Sequence, residues 1–231
     1  MGLMELTYVI PDLHGRLDLF EKAITAIRAH ARNAPATVVT LGDYVDRGPS
    51  SREIIEQLIH WSDPTLRLTA LKGNHEAMMW EACNGLLEPE RWLVNGGDAT
   101  LASYGLSQPT VQGQIIKEHL SWIENLAPIR SDRHRVFVHA GLDAKLPLDR
   151  QSERTLLWKR YPARSQEGFG TRHVVHGHDG TTAAPVVSES RSNLDGLAWK
   201  TGRLVVGIYA EDCPGPAVDY LEVIGTPGGE S

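Results

Sequence analysis

Cysteine is nearly absent: Cys83 and Cys213 are the two in 231 residues, a poor basis for a secreted disulfide scaffold. Long apolar runs are also missing. Stretches such as Val136–Val138 fall far short of the roughly 20 residues that a spanning helix needs. Residues 1–10 have neither a basic start nor an apolar stretch that reads as a signal peptide. Basic charge is in deficit, with a formal net charge of −6, which argues against general adhesion to nucleic acid or to acidic membrane surfaces. Glycine and proline, at 22 and 13, are too few for a low-complexity chain. From these absences the expectation is a cytoplasmic globular protein with no nucleic-acid or membrane partner. What the chain does have is histidine, ten in all, the usual metal ligand and proton shuttle.

At 41% hydrophobic residues the chain is not disordered, and its length fits one large domain better than two small ones. Residues 1–224 read as that single domain and residues 225–231, rich in Gly, Pro, Thr and Ser, as a flexible, frayed tail. β-branched and aromatic runs predict strands at Leu6–Ile10, Thr37–Leu41 and Leu66–Leu71. Between and after them, apolar residues at helical spacing predict helices at Leu17–Ala31, Arg52–Trp61 and through Ala77–Ala82. This alternation implies βαβ units and a mostly parallel sheet. Short helices and turns around Trp92–Tyr104 and a helix over Val111–Leu126 follow. Strand-like runs at Arg135–Val138, His173–Val175, Val186–Val187, Leu204–Ile208 and Val218–Val223 suggest a second sheet packed on the first. The fold class is therefore α/β with two packed β-sheets flanked by helices.

Five of the strand-like runs lead into loops rich in Asp, Asn, His and Gly. They carry Asp12-Leu13-His14-Gly15, Gly42-Asp43-Tyr44-Val45-Asp46-Arg47-Gly48, Gly73-Asn74-His75-Glu76, His139-Ala140-Gly141 and His176-Gly177-His178. Ligands of open α/β sheets bind at the carboxyl ends of strands, so the five loops can share one crevice. Each alone has a plain reading, Asp12 as a helix cap, His139 as a buried histidine, Gly42 and Gly48 as turn residues. Together they do not, because packing alone gives no reason to end five strands in metal-preferring side chains. Two divalent ions about 3.5–4 Å apart can hold a hydroxide and a phosphate oxygen together, provided that one carboxylate bridges them. Asp12 and His14 can serve one ion, Asn74, His139 and His178 the other, with Asp43 between. Ligation by carboxylate, amide and imidazole without thiolate suits manganese, iron or zinc.

These motifs, in this order, resemble the phosphoprotein-phosphatase family of calcineurin-like metallophosphoesterases, in its compact bacterial and phage branch. Trp92-Leu93-Val94-Asn95-Gly96-Gly97-Asp98 and Leu156-Leu157-Trp158-Lys159-Arg160 are similar to segments of the same branch. The resemblance implies a sandwich of two mixed sheets and two divalent ions, manganese foremost. It implies that Asp12, His14, Asp43, Asn74, His139 and His178 are the metal ligands and that Arg47 and Arg160 clamp the phosphate. His75 would be the general acid and Asp46 its partner. The implied reaction is hydrolysis of a phosphate monoester, in a phosphoprotein, phosphopeptide or small phosphorylated molecule, by direct attack of a metal-bound hydroxide. A serine/threonine protein phosphatase is the expectation. The alternative is a symmetrical diadenosine tetraphosphate hydrolase or another phosphoanhydride hydrolase, whose members tend to lack the second Asp of the Asp43–Asp46 motif and to have Asp in place of Glu76. A metal-free binding module is the third reading, disfavoured because each ligand position is intact.

The chain departs from the family pattern at three places. Pro11 replaces the glycine before Asp12, Lys72 replaces the arginine before Gly73, and Asp195-Gly196-Leu197-Ala198 stands for the usual Asp-Thr-Gly-Ala. The last lies outside the ligand set and bears on substrate contacts. His176 is expected to support the site or to face substrate, and His30, His60, His119, His134 and His173 to be surface or packing residues.

Overall fold

The computed structural model describes residues 5–162 and 165–228. Three strand–helix units open the chain: β1 (Leu6–Ile10), α1 (Leu17–Ala31), β2 (Ala36–Thr40), α2 (Ser51–Ile59), β3 (Leu66–Ala70) and α3 (Asn74–Cys83). A helical segment follows, with α4 (Pro89–Trp92), α5 (Asp98–Tyr104) and α6 (Gln114–Glu124). Then come β4 (Ile129–Ser131), β5 (Arg135–Val138), α7 (Glu153–Trp158), β6 (His173–His176), β7 (Val186–Val187) and β8 (Arg191–Asn193). The last described elements are α8 (Ala198–Thr201), β9 (Arg203–Ala210) and β10 (Asp219–Ile224).

The strands form two five-stranded sheets, β10-β9-β1-β2-β3 and β4-β5-β6-β8-β7. In the first, β1, β2 and β3 run parallel while β9 and β10, expected from the sequence in the second sheet, pair instead along β1 with β9 antiparallel to it, so this sheet is mixed and not mostly parallel. The second has a parallel centre, β5-β6-β8, with antiparallel strands on both edges. Period-two alternation explains why both faces of β1 are apolar. Tyr8 and Ile10 join the helix-side core with Phe20, Ile24 and Ile54, whereas Val9 joins Val39, Leu41, Phe137, Val175 and Tyr209 between the sheets. A third cluster, around Val136, Val174 and Leu156, packs α7 on the outer face of the second sheet.

Element boundaries shift by a few residues from the sequence reading, and one shift matters. The helix placed through Ala77–Ala82 begins at Asn74, so Asn74 and His75 sit in the first turn of α3 and not in a loop. Glu76 starts it early by accepting the Gly73 N–H at 2.9 Å. Gly225, read as the start of the tail, donates its N–H to the Gly202 carbonyl at 2.7 Å, and Gly228 donates to Lys200 at 3.1 Å. Residues 229–231 of that tail lie outside the described residues.

Candidate active site

Parallel register aligns the carboxyl ends of β1, β2 and β3, pairing Ile10 with Thr40 and Thr40 with Ala70. The loops that follow are tied to one another by their backbones. The N–H groups of Leu13 and His14 donate to the Asp43 carbonyl at 3.0 and 2.8 Å, and Gly15 donates to Tyr44 at 2.8 Å. Contact is so close that a Cβ on Gly48 would lie 2.2 Å from the His14 carbonyl oxygen, which accounts for the glycine at that position. Glu76 fixes the second loop from below. Its buried carboxylate accepts the N–H groups of Asp43 (2.8 Å), Tyr44 (2.7 Å) and Val45 (3.2 Å) in addition to Gly73.

Asp43 lies at the centre. One carboxylate oxygen is 3.5 Å from His14 Nε2 and 3.8 Å from His75 Nε2; the other is 3.4 Å from His139 Nε2. Two groups with metal-ligand spacing share it: His14, Asp43 and His75, and Asp43, His139 and His178. Asn74 joins the second, with its Oδ1 2.8 Å from His139 Nε2. Asp12 is buried beside them, with both carboxylate oxygens accepting the His178 N–H at 3.2 Å. All six proposed ligands are thus brought together, with Asp43 between the two sets. His14 and His139 are aimed by their Nδ1–H groups, which donate to the carbonyls of Val45 (2.9 Å) and Leu41 (3.0 Å) and leave Nε2 turned inward.

Burial sets the protonation of this cluster. It pushes His14 well below the ordinary imidazole value, aided by His75 and Arg47, and lowers His139. Burial and then His139 bring His178 to about 3. Neutral imidazoles are the form that binds metal. Burial opposes ionisation of Asp43, but the histidines around it, His139 first, bring its carboxyl below the usual range, whereas burial followed by Asp195 and Asp43 raises Asp12 well above it. Buried carboxylates that repel one another call for a cation between them. The donor set therefore fits a dinuclear divalent-metal site of nitrogen and oxygen ligands.

His75 has the opposite bias. Burial alone would lower it, but Asp43 and Asp46 outweigh that and hold its pKa above the ordinary histidine value. Its Nδ1–H donates to Asp46 at 2.6 Å. Asp46, fully buried, also accepts the Trp92 indole N–H at 2.9 Å and the Thr100 hydroxyl at 2.7 Å. Sequence motifs did not single out Trp92 or Thr100 for this task; Trp92 lay in a family-like stretch and Thr100 had no mark. Glu76 was visible in its motif but not its fourfold grip on the backbone.

Arg47 donates to Nε2 of His14 at 2.8 Å and of His75 at 3.1 Å, and its guanidinium lies over the Trp199 ring at 5.2 Å. Arg160 reaches the same cavity from its rim, where its largely exposed side chain donates to Asp179 at 3.1 Å. The cavity holds about 610 Å³, and Asp98, Asp195, Trp158 and Trp199 also line it. His176 does not reach it. Its Nδ1–H donates to the Gly177 carbonyl at 2.9 Å, and it borders a separate cavity with Tyr161 and Arg191. His119 and His173 are buried and bonded to Tyr104 and Ser192, and the exposed His30 is bonded to Tyr8. Among the described residues, no helix is long and apolar enough to cross a membrane.

Comparison with known proteins agrees with this geometry. Serine/threonine-protein phosphatase 1 of Salmonella typhimurium is 33% identical over 183 residues, 74% of this chain and 77% of that protein. The symmetrical bis(5'-nucleosyl)-tetraphosphatase of Nitrosomonas europaea is 27% identical over 136 residues, 59% of this chain but only 44% of that protein. A solved structure provisionally described as a diadenosine tetraphosphatase superposes with a TM-score of 0.65 at 20% identity, covering 100% of this chain and 96% of its own. The family profile for calcineurin-like phosphoesterases matches residues 6–206. With that match covering all of the second sheet, most of the first and every loop of the cluster, the chain belongs to the calcineurin-like phosphoesterase family.

Proposed function

We infer that the protein is a metal-dependent phosphomonoesterase acting on phosphoserine and phosphothreonine. The observation that carries this reading is the Asp46–His75 pair. An alkoxide leaves badly and needs a proton, whereas the phosphate of an anhydride leaves without one. A chain that commits Asp46, Trp92 and Thr100 to orienting one imidazole is built for the harder leaving group.

Asp12, His14, Asp43, Asn74, His139 and His178 would hold two divalent ions, manganese, iron or zinc. When bound, such ions stabilise charge on phosphoryl oxygens and make water a competent nucleophile near neutral pH. Arg47 and Arg160 bind the remaining phosphate oxygens through paired N–H groups. As Arg47 turns to the phosphate it frees His75 Nε2 to take up a proton from solvent. The imidazolium, favoured by Asp43 and Asp46, gives that proton to the ester oxygen as water adds to phosphorus and the P–O bond to that oxygen breaks. Asp46 accepts the Nδ1–H throughout and keeps the ring from rotating. The products are inorganic phosphate and an alcohol.

The tetraphosphatase relative gives a second reading on the same scaffold. Asp98 and Asp195 in the cavity wall weigh against it, since each adds repulsion to a chain of four phosphates. The deciding experiment compares kcat/KM for phosphoserine, phosphothreonine and phosphotyrosine peptides with diadenosine tetraphosphate and pyrophosphate under added manganese. Preference for the serine and threonine peptides is expected; preference for the tetraphosphate overturns the assignment. In the same assay His75→Asn should slow alkyl esters far more than aryl esters, and equal losses would remove the acid role.

A further inference from the structure

Leu197 is in an unusual conformation for its type. Its backbone is left-handed, with φ 56° and ψ 47°. Among the described residues with positive φ other than glycine, it is the one aliphatic side chain. Local hydrogen bonds hold it there. Its N–H donates to the Asp195 carboxylate at 2.9 Å, and its carbonyl accepts from Lys200 at 2.9 Å and Thr201 at 2.8 Å, opening α8. Any residue with a Cβ is strained in this region by contact between that Cβ and the backbone, and such strain persists where another gain offsets it. Core packing is not that gain, because Leu197 belongs to none of the three apolar clusters. It is half-buried, and its isobutyl group lines the catalytic cavity along with Trp199 and Val94. The side chain spans to the loop after His178, where a Cβ on Gly180 would come within 2.3 Å of Leu197 Cδ2. The family pattern places glycine at this position, the residue with no such strain.

We propose that Leu197 and Trp199 form an apolar leaving-group subsite, which favours phosphate esters whose alcohol carries apolar surface beyond the carbon bonded to the ester oxygen. This rests on the phosphomonoesterase reading and adds to it what occupies the cavity beyond the phosphate. The cations Arg47 and Arg160 take the phosphate, and the isobutyl and indole groups exclude water from the carbon skeleton. Polar alcohols lose hydration against this wall without a matching partner, and apolar ones gain by burial.

The test compares 2-naphthyl phosphate with phenyl phosphate, whose leaving groups are similar in acidity but differ in apolar area. The wild-type protein should favour the naphthyl ester. Leu197→Gly and Leu197→Asn both keep the left-handed backbone while removing the apolar wall, and should lower the naphthyl-to-phenyl ratio of kcat/KM about tenfold, through KM. Leu197→Met, apolar but unbranched, should keep the ratio. Thermal melts separate this from a packing role, since relieved strain should leave Tm of the glycine variant level or higher. An unchanged ratio in the glycine and asparagine variants, or a lower Tm with the ratio kept, overturns the subsite while leaving the phosphomonoesterase reading intact. No hydrolysis of either ester by the metal-loaded wild type overturns both.

Discussion

Replacing Asp46 by asparagine tests the proposed acid with little change in shape. Three donors converge on this buried carboxylate: His75 Nδ1–H at 2.6 Å, Trp92 Nε1–H at 2.9 Å and the Thr100 hydroxyl at 2.7 Å. A carboxylate satisfies all three, but an amide has one oxygen. If that oxygen faces Trp92 and Thr100, the amide NH2 meets His75 and forces its proton from Nδ1 to Nε2. The resulting neutral ring is a far weaker acid than imidazolium. If the oxygen faces His75 instead, the NH2 group opposes the other two donors. A hydrogen bond to a charged group contributes about 1.5–3 kcal/mol, so its loss should slow alkyl ester hydrolysis by about 10- to 150-fold. An aryl ester depends less on the acid and should lose much less. Steady-state kcat/KM for phosphoserine and p-nitrophenyl phosphate measures both, with urea unfolding as a control for stability. Equal losses on the two esters, or less than a twofold loss on phosphoserine, would refute the reasoning.

Glu76→Asp withdraws the carboxylate by one methylene from four N–H groups at 2.7–3.2 Å, and should destabilise the protein by about 2–4 kcal/mol in urea unfolding. Asp43→Asn removes the charge between the two clusters, so manganese affinity by calorimetry and turnover should fall together. Activity on p-nitrophenyl phosphate should vanish after thorough chelation and return with added divalent metal; full activity in the chelated protein would sink the dinuclear reading. Far from the site, against the effect of burial, the N–H groups of Thr65 and Leu66 and the Arg28 guanidinium hold the Asp63 carboxyl down at about 2. A depressed carboxyl stabilises the fold above its unfolded pKa and ceases to as pH falls through the folded one. Asp63→Ala should therefore be about 1–2 kcal/mol less stable at pH 6, the gap closing between about pH 4 and pH 2 in denaturant titrations.

Strands buried on both faces were the ones legible in the sequence. β1 and β2 read clearly because Tyr8, Val9, Ile10, Val38 and Val39 are apolar toward helices and toward the other sheet alike. β8 did not, because Arg191-Ser192-Asn193 spends its side chains on polar contacts. Ser192 pairs with His173 at 2.8 Å and Asn193 donates to the Asp179 carbonyl at 2.7 Å. No period-two apolar pattern survives that use. The cluster at the strand ends was legible through residue type, since packing alone gives no reason to end five strands in Asp, Asn and His. Its supports were not: Trp92 and Thr100 reach Asp46 across a distance in sequence of 46 and 54 residues.

His176 shows where local rules stop. Two residues apart on a strand, His176 and His178 should share a face. They border different cavities, because the chain leaves β6 and turns at His178 into a left-handed φ of 64°. The same departure occurs at His14, Asp43, Asp46 and Arg47, all with positive φ and none a glycine. Sequence rules place glycine in such positions, so a propensity argument alone would put these side chains elsewhere. They hold there because Glu76 binds the second loop and the Asp43 carbonyl binds the first. In this fold the strained backbone directs imidazole and carboxylate groups from separate strands into one cavity, so that the local conflict with propensity marks the site.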